Sequence, residues 1–474
     1  MSFLWTAGAL AAATGGRWLG DCAGVTGISI DTRSISAGDL FIALAGENHD
    51  AHDFVADALG KGAAAAIVGR TPRDVAPEAP LLLVDDIQTA LEALGNAGRT
   101  RSAAKVIAVT GSVGKTSTKE MLRTMLAGQT RVHAAVKSFN NHWGVPITLA
   151  RMPVETEVAV IEIGMNHPGE IRPLSEMAAP DVALITTVEA VHLAAFDGIE
   201  QIADAKAEIF AGLAPDGVAI LNRDNGQFDR LAAQAPGKIV TFGKTADLSL
   251  IKTDIRGEST LVEAEIGGNR IAFEIGVAGT HFAMNAVAAL GAVEAVGADV
   301  ASAAQALAGW TPPDGRGRRE RIALGGENTG AEIMLIDDSY NANPASMRAA
   351  LAVLAATEVG ERGGGRGRRI AFLGDMLELG PGERYFHAAL AQLPEIAGID
   401  LVHSCGPLMA HMHQALPQQK RGTWADNSAE LAAGIMRHLD AGDVCMVKGS
   451  LGSKMAVVVK AIRALGQAAS AQET

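Results

Sequence analysis

The chain has 474 residues, enough for two to four domains with buried cores. Its net charge of −13 argues against nucleic-acid binding, because neutralising phosphates requires an excess of lysine and arginine. Aromatic residues make up 4% of the chain, whereas hydrophobic residues make up 48%, which is typical of helices packed on parallel sheets. The three cysteines, Cys22, Cys405 and Cys445, are far apart and predict reduced thiols in a cytoplasmic protein.

The N-terminal stretch 1–17 has no basic segment before its apolar residues, so we interpret it as a first helix rather than an export signal. No apolar run reaches the length that spans a membrane. We therefore expect a protein that stays in the cytoplasm and does not insert into membranes.

Residues 1–103 predict a small α/β domain, with strands at 28–33, 38–44, 63–68 and 81–84 and a helix at 52–62. A polar cluster, Asp31, Thr32 and Arg33, stands at the end of the first of these strands. Such a cluster can grip a diphosphate or a pyrimidine ring, or it can be a helix cap or turn. From spacing alone, the helix cap or turn is the favoured interpretation.

A phosphate-binding loop is predicted at 110–117, between an apolar strand at 106–110 and a helix that opens at Lys115. Gly111 and Gly114 let backbone N–H groups approach an anion, and the helix N-terminus adds positive charge. Lys115 is expected to reach the β- and γ-phosphates and Thr116 to bind Mg²⁺. Val109 stands where the general pattern has a glycine, so an ordinary glycine-rich turn is the alternative.

The region 104–312 alternates apolar strands with helical stretches, which predicts a parallel, doubly wound sheet. Further strands are expected at 158–163, 182–188 and 218–222. Ligands lie beyond the carboxyl ends of such strands. Glu162, His192 and Asn222 fall at or just after these ends, so we expect them to share one cleft with the phosphate loop.

Three residues of this region differ in how strongly their positions in the sequence indicate a functional role. Glu162 ends an apolar strand, where a carboxylate can help to organise Mg²⁺ in a phosphoryl-transfer site. Leaving a buried carboxylate unpaired is costly, which favours a functional role. His192 by itself is more typical of a hydrogen-bonded structural histidine, and Lys206 by itself predicts a solvated helix lysine.

Residues 313–474 predict a third α/β unit, with strands at 333–340, 369–376, 400–405 and 443–450. The unit is of dinucleotide-binding type, although no G-x-G-x-x-G follows its first strand. A basic stretch rich in proline and glycine at 310–321 marks the boundary, and we interpret it as a hinge.

Five stretches of this sequence resemble the Mur ligases, ATP-dependent amide-forming enzymes of peptidoglycan synthesis. They are 31–33 with 38–54, 110–117, 137–146, 337–344 and 372–380. The shortened phosphate loop is this family's usual form. The resemblance covers essentially the whole chain and implies a UDP-sugar-binding domain at 1–103, a central P-loop ATPase domain at 104–312 and a C-terminal Rossmann-like ligase domain at 313–474.

The resemblance also implies roles for individual residues. The phosphates of ATP would be bound by Gly111, Ser112, Val113, Gly114, Lys115, Thr116 and Ser117. Adenine would contact Asn285, ribose Asp338, and an arginine from the hinge, Arg316 or Arg318, would reach the nucleotide. Thr116 and Glu162 would hold one Mg²⁺, and His192 would hold a second together with Lys206, which is carbamylated in related ligases. The UDP-sugar peptide would contact Asp31, Thr32, Arg33, Asn140 and Asn141, and the dipeptide would contact Tyr340, Asn341 and Asn343.

The stretches 337–344 and 372–380 resemble the branch of the family that adds D-Ala-D-Ala to UDP-MurNAc-tripeptide through an acyl phosphate. Diaminopimelate and lysine both remain open as the third residue of that tripeptide. We expect a monomer that closes at 311–317 when ATP and the nucleotide-sugar bind. The alternatives are a ligase adding the third amino acid, a folylpolyglutamate synthase, or a P-loop kinase or regulatory nucleotide-binding protein.

Overall fold

The computed structural model describes residues 3–46, 50–191, 193–324, 331–362 and 365–470. Three main sheets of five, nine and six strands follow one another along the chain, and each is packed against helices. The predicted α/β class, with a mainly parallel central sheet flanked by two smaller α/β units, is confirmed. The exact domain limits at residues 103 and 312 stay predictions. Within the described ranges, no helix combines the length and apolarity needed to cross a membrane.

The N-terminal unit is built on a five-stranded sheet in the order β2-β7-β6-β5-β4, parallel except for β2. Its elements are β1 (Trp5–Thr6), α1 (Ala7–Thr14), β2 (Arg17–Leu19), β3 (Gly24–Val25), β4 (Gly27–Ser29), β5 (Asp39–Ile42), α2 (Val55–Gly60), β6 (Ala65–Val68), β7 (Leu81–Leu83) and α3 (Ile87–Thr100). The predicted first helix is therefore present as α1.

The central unit holds the nine-stranded sheet. Its elements are β8 (Lys105–Thr110), α4 (Lys115–Ala127), β9 (Val132–Ala134), α5 (Gly144–Ala150), β10 (Val158–Glu162), α6 (Ile171–Ala178), β11 (Val182–Ile185), α7 (Ile199–Ala207), β12 (Val218–Asn222), α8 (Phe228–Ala232), β13 (Lys238–Gly243), β14 (Leu248–Arg256), β15 (Ser259–Ile266), β16 (Asn269–Ile275), α9 (Thr280–Ala295) and α10 (Val300–Ala306).

The strand order in this sheet is β16-β15-β14-β13-β12-β11-β8-β10-β9. The strands from β9 to β14 run parallel, whereas β15 and β16 add an antiparallel extension. β8 lies between β10 and β11, so the chain leaves β8 toward one edge and later returns to its other side. Ligands bind at such a switch point, and here it carries the glycine-rich loop 111–114.

The C-terminal unit has a six-stranded sheet in the order β17-β18-β24-β21-β22-β23, in which β17 is antiparallel to β18. Its elements are β17 (Arg318–Ala323), β18 (Glu332–Asp338), α11 (Pro344–Ala356), β19 (Glu361–Arg362), β20 (Gly365–Arg366), β21 (Arg369–Gly374), α12 (Glu383–Leu390), β22 (Leu401–Cys405), α13 (Met409–Ala415), β23 (Arg421–Ala425), α14 (Ser428–Ala433), β24 (Val444–Lys448) and α15 (Ala456–Ser470).

The N-terminal and central units are joined by close packing of α3 against α5. A Cβ added at Gly98 would lie 2.3 Å from the carbonyl oxygen of Leu149, so the two helices approach as nearly as their backbones permit. Arg101 donates to the carbonyls of Leu4 and Met152, at 2.6 and 2.8 Å, and so ties both units to one side chain.

Candidate active site

A cleft of about 670 Å³ lies at the carboxyl ends of the central strands and extends to the C-terminal unit. Most residues predicted for the site line it, although they come from many separate segments. They are Ser112, Val113, Gly114, Lys115, Thr116, Ser117, Asn140, Asn141, Glu162, Asn285, Arg316, Asp338, Tyr340, Asn341 and Asn343. Asn222 lines it as well, as its position after a strand predicted.

The glycine-rich loop between β8 and α4 has the backbone that an anion site requires. Gly111 and Gly114 have φ values of +144° and +87°, a region that favours glycine. A Cβ at Gly111 would stand 1.9 Å from Oγ1 of Thr186, and one at Gly114 would stand 3.0 Å from the carboxamide of Asn285. Lys115 begins α4, and its Nζ donates to the carbonyl of Gly111 at 2.6 Å.

Glu162 is almost fully buried at the end of β10, and only half of its carboxylate is satisfied. Its Oε1 accepts from Oγ1 of Thr116 at 3.1 Å and from Nδ2 of Asn140 at 2.8 Å. Its Oε2 is buried without a hydrogen-bond partner among the described residues. An unpaired buried carboxylate oxygen beside a phosphate loop fits a divalent cation, which prefers such hard oxygen ligands.

The loop 135–141 brings one further side chain, that of Ser138, to this point. Ser138 lies 3.2 Å from Oγ1 of Thr116, hydroxyl to hydroxyl, and 3.4 Å from Nη2 of Arg316. The loop is anchored by Lys119, whose side chain is fully buried and donates to the carbonyls of Ala135 and Lys137. Motif reading missed Ser138 and Lys119, although their stretches were singled out.

Lys206 does not behave as a solvated helix lysine. It lies on α7 with 2% exposure, and burial together with the positive charge of Lys115 holds its pKa well below the usual range. Its proposed companion His192 lies outside the described residues. In the part of the chain that the structure describes, no group of three or more histidine, cysteine or acidic side chains forms a complete metal site.

The side of the cleft contributed by the C-terminal unit carries three charged groups. Asp338 ends β18 and accepts from Nζ of Lys448 at 2.7 Å, and burial raises the pKa of its carboxyl group. The guanidinium of Arg316 stacks over the ring of Tyr340 at 4.1 Å. Of the two hinge arginines, Arg316 lines the cleft, whereas Arg318 forms an ion pair with Asp314.

The comparisons with known proteins identify the family. The model of the Mur ligase middle domain matches residues 109–293, that of the Mur ligase glutamate ligase domain 318–451, and that of the Mur ligase family catalytic domain 24–111. A Bacillus subtilis (strain 168) protein named UDP-N-acetylmuramoyl-tripeptide–D-alanyl-D-alanine ligase is 36% identical, covering 92% of this chain and 93% of its own. The chain belongs to the Mur ligase family.

Other similar proteins have the same name or the same fold. The Escherichia coli (strain K12) protein of that name is 36% identical to this Mur ligase, covering 80% of this chain and 81% of its own. A crystal structure of MurF from Acinetobacter baumannii superimposes with a TM-score of 0.81 at 31% identity, covering 97% and 99% of the two chains. MurF ligase from Thermotoga maritima in complex with ADP shares the fold at 24% identity, with a TM-score of 0.73 over 93% and 98%.

The predicted substrate residues of this Mur ligase also hold its loops together. Asn141 accepts from the backbone N–H of Gly144 at the start of α5, and Asn343 caps α11 together with Ser346. Asn341 accepts from the N–H of the next residue at 2.8 Å. Because Asn141, Asn341 and Asn343 also line the cleft, their structural bonds fix the positions of groups that face it.

The cluster Asp31, Thr32 and Arg33 stands apart from the residues that line the cleft. Asp31 caps a short 3₁₀ turn at 32–34 by accepting from the N–H of Arg33, which is the cap interpretation favoured by the sequence. The Arg33 guanidinium lowers the pKa of Asp31 to about 2. This pair is exposed, and its binding role stays a prediction.

Two charged side chains that line the cleft, those of Glu189 and Lys448, were not predicted from the sequence. Glu189 follows β11 in a loop, and Lys448 ends β24 with 2% exposure. The position of Lys448 at a strand end, opposite Asp338 in the parallel pair β18–β24, could have indicated it. Glu189 lies four residues beyond its strand, where periodicity carries no information about direction.

Proposed function

We propose that this Mur ligase joins D-Ala-D-Ala to UDP-MurNAc-tripeptide with ATP, and so makes the UDP-MurNAc-pentapeptide used in peptidoglycan synthesis. The observation that carries the proposal is that the phosphate loop and the half-satisfied Glu162 share one cleft with Asp338 and the segment 340–343. The relatives with this activity in their names match the chain over most of its length. Because ATP and the nucleotide-sugar are cytoplasmic, we assign the reaction to the cytoplasm, with the enzyme acting as a monomer.

Activation by ATP is required because a carboxylate is a poor electrophile. In the proposed reaction, the terminal carboxylate of the tripeptide attacks the γ-phosphate, which gives an acyl phosphate and ADP. The N–H groups of 111–117 and the ammonium of Lys115 bind and orient the phosphates. The amine of D-Ala-D-Ala then adds to the acyl carbonyl, and phosphate leaves. Positioning and charge neutralisation carry most of the catalysis.

The residues around Glu162 fit Mg²⁺, because a buried carboxylate oxygen there has no hydrogen-bond partner in the part of the chain that the structure describes. Bound Mg²⁺ neutralises charge on the phosphates of the transferring group. Thr116 and Glu162 would hold one ion, and His192 and Lys206 a second. The lowered pKa of Lys206 favours the neutral amine, the form that adds to CO₂ with loss of a proton to give a carbamate.

The other site residues divide between the two remaining substrates and the nucleotide. Asn285 and Asp338 hold adenine and ribose, while Arg316 rather than Arg318 reaches ATP from the hinge. The UDP-sugar peptide is assigned to Asp31, Thr32, Arg33, Asn140 and Asn141. The dipeptide is assigned to Tyr340, Asn341 and Asn343, which stand together before α11.

Incubation of the purified chain with ATP, Mg²⁺, UDP-MurNAc-tripeptide and D-Ala-D-Ala tests this function. We expect the pentapeptide product, with one ADP and one phosphate for each amide formed, measured by mass spectrometry and a coupled phosphate assay. Lysine- and diaminopimelate-containing tripeptides are tested in parallel. Phosphate release that is indifferent to D-Ala-D-Ala would contradict the proposal and favour a P-loop enzyme of another class.

A further inference from the structure

The carboxylate of Glu189 lines the cleft beside the phosphate loop. Its residue follows β11, the strand next to β8 in the sheet. The backbone is fixed to the phosphate loop, because the N–H of Glu189 donates to Oγ of Ser112 at 2.9 Å and that hydroxyl donates to the Glu189 carbonyl at 3.1 Å. These two hydrogen bonds hold the backbone of Glu189 against the phosphate loop.

Among the described residues, the carboxylate of Glu189 has the longest hydrogen bond of the four carboxylates that line the cleft. Glu162 accepts two hydrogen bonds, and Asp338 is paired with a lysine. Glu170 accepts from the N–H of Asn166 at 2.7 Å. The Glu189 side chain is partly buried and, within the described ranges, accepts one hydrogen bond, from Oγ1 of Thr187 at 3.3 Å. One of its oxygens is therefore available to a substrate.

The loop that carries Glu189 contacts both the phosphate loop and the C-terminal unit. It is bonded to the phosphate loop at Ser112, and five residues beyond Glu189 the N–H of Ala194 donates to the carbonyl of Glu378 in the C-terminal unit, at 3.4 Å. The dipeptide residues belong to that same unit. Glu189 therefore lies in a loop between the phosphate loop and the C-terminal unit, from which we expect the amine of the dipeptide to approach the acyl phosphate.

We propose that Glu189 is the base that accepts a proton from the ammonium group of the incoming D-Ala-D-Ala, an inference that rests on the proposed function. An α-amino group has a pKa of roughly 7.7–8.0, so a large part of the dipeptide is protonated near neutral pH and has no lone pair for attack. Transfer of one proton to the Glu189 carboxylate frees that pair. The amine nitrogen then bonds to the acyl carbon, the carbon–oxygen bond to phosphate breaks, and the departing phosphate takes the second proton.

The electrostatic environment supports this assignment. Burial raises the pKa of Glu189, while the Thr187 hydrogen bond lowers it. The net shift is upward, which brings the pKa of the carboxyl group closer to the pKa of the amine. The other charged or titratable groups that line the cleft are Lys115, Glu162, Glu170, His281, Arg316, Asp338, Tyr340 and Lys448. Glu162, Glu170 and Asp338 are held by the partners described above. Lys448 pairs with Asp338, and the proposed reaction assigns Lys115 and Arg316 to ATP.

Replacement of Glu189 by Gln, with two alternative nucleophiles, tests the proposal. D-Ala-D-Ala must lose a proton before attack, whereas hydroxylamine is largely uncharged at neutral pH and traps acyl phosphates directly as hydroxamates. For E189Q we expect kcat with D-Ala-D-Ala to fall by about 100-fold or more, with the KM for ATP unchanged. Hydroxamate formation from the tripeptide and ATP should keep its wild-type rate.

The pH profile gives a second readout, which a structural role would not move. Raising the pH deprotonates the free amine, so E189Q should recover rate with D-Ala-D-Ala as pH rises through the pKa of that amine. Glu189→Asp should keep the wild-type shape of the profile at a lower rate. Glu170→Gln, a change of another carboxylate in the same cleft, is the matched control and should keep the wild-type rate and profile.

Equal loss of rate with both nucleophiles, or no loss with D-Ala-D-Ala, would overturn the role of Glu189. So would an E189Q profile that does not recover at high pH. A wild-type chain that makes no pentapeptide would instead refute the proposed function, so the two failures are distinguishable. Thermal melting of each variant confirms that the rates belong to folded protein.

Discussion

At the scale of single residues, the carboxylate of Glu162 is expected to serve the reaction at a cost in the stability of the folded protein. Its buried Oε2 has no partner in the described structure, which costs folding free energy unless a cation is bound. For Glu162→Gln we expect phosphate release to fall by about 100-fold or more, because a neutral amide binds Mg²⁺ and orients the phosphates poorly. In metal-free buffer the variant should unfold at equal or higher denaturant concentration than wild type, with a gain of about 1 kcal/mol.

Glu157→Gln is the control for this variant, because Glu157 precedes the same strand but is exposed and paired with Arg131. It should change neither rate nor stability measurably. A Glu162→Gln enzyme that keeps its Mg²⁺-dependent rate while losing stability would show that the carboxylate has a structural role.

Which residues could be predicted follows from where they stand. Lys115, Thr116 and Glu162 are fixed by strand ends and a helix start, so the chain pattern alone places them on the ligand edge of the sheet. Burial of Lys206 could not be predicted, because the direction of a helix side chain depends on what packs against α7. The direction of Glu189 depends on a loop path that hydrophobic periodicity does not encode.

At the scale of elements, Lys119 braces α4 against the loop 135–141. Its buried ammonium donates to two loop carbonyls and forms an ion pair with Glu120 at 2.7 Å. Lys119→Met would leave those acceptors unpaired, so we expect a loss of about 3 kcal/mol in the free energy of unfolding. The KM for ATP should rise as well, because this loop carries Ser138 and Asn140. Urea unfolding and steady-state kinetics measure the two effects.

Lys61→Met is the matched control, since Lys61 also pairs with a carboxylate but is exposed, and it should cost little. If Lys119→Met is as stable as this control, Lys119 does not stabilise the packing of α4 against the loop 135–141. Lys119→Arg should recover part of the loss in stability and in KM, because a guanidinium keeps the charge and the donors.

The parallel core of the central unit was predictable because its strands are short apolar runs with polar ends. Three of the four predicted strands match β8, β10 and β12 to within one residue at either end. The fourth, predicted at 182–188, ends at Ile185, because the following residues turn away to bond the phosphate loop through Thr186 and Glu189. The strands β14, β15 and β16 were missed, since their exposed polar residues weaken the apolar signal.

At the scale of the whole molecule, the two junctions between units differ in strength. The N-terminal and central units share the tightly packed α3 and α5 and the bridging side chain of Arg101. The central and C-terminal units are joined through 311–317, where Gly315 and Gly317 have φ values of +72° and +90°. The contacts between these two units include long ones, such as 3.4 Å from Nη2 of Arg316 to Oγ of Ser138. The second junction is therefore the one expected to move.

An acyl phosphate hydrolyses if water reaches it, so the cleft of about 670 Å³ must close around the reactants. We expect ATP, Mg²⁺ and UDP-MurNAc-tripeptide together to reduce the radius of gyration in X-ray scattering, and to shorten the distance between fluorophores on the central and C-terminal units. Fluorophores on the N-terminal and central units should report no change, because α3 and α5 hold these units as one body. Superimposable free and liganded scattering profiles would refute closure. Movement confined to the N-terminal unit would show that the hinge lies between the N-terminal and central units and not at 311–317.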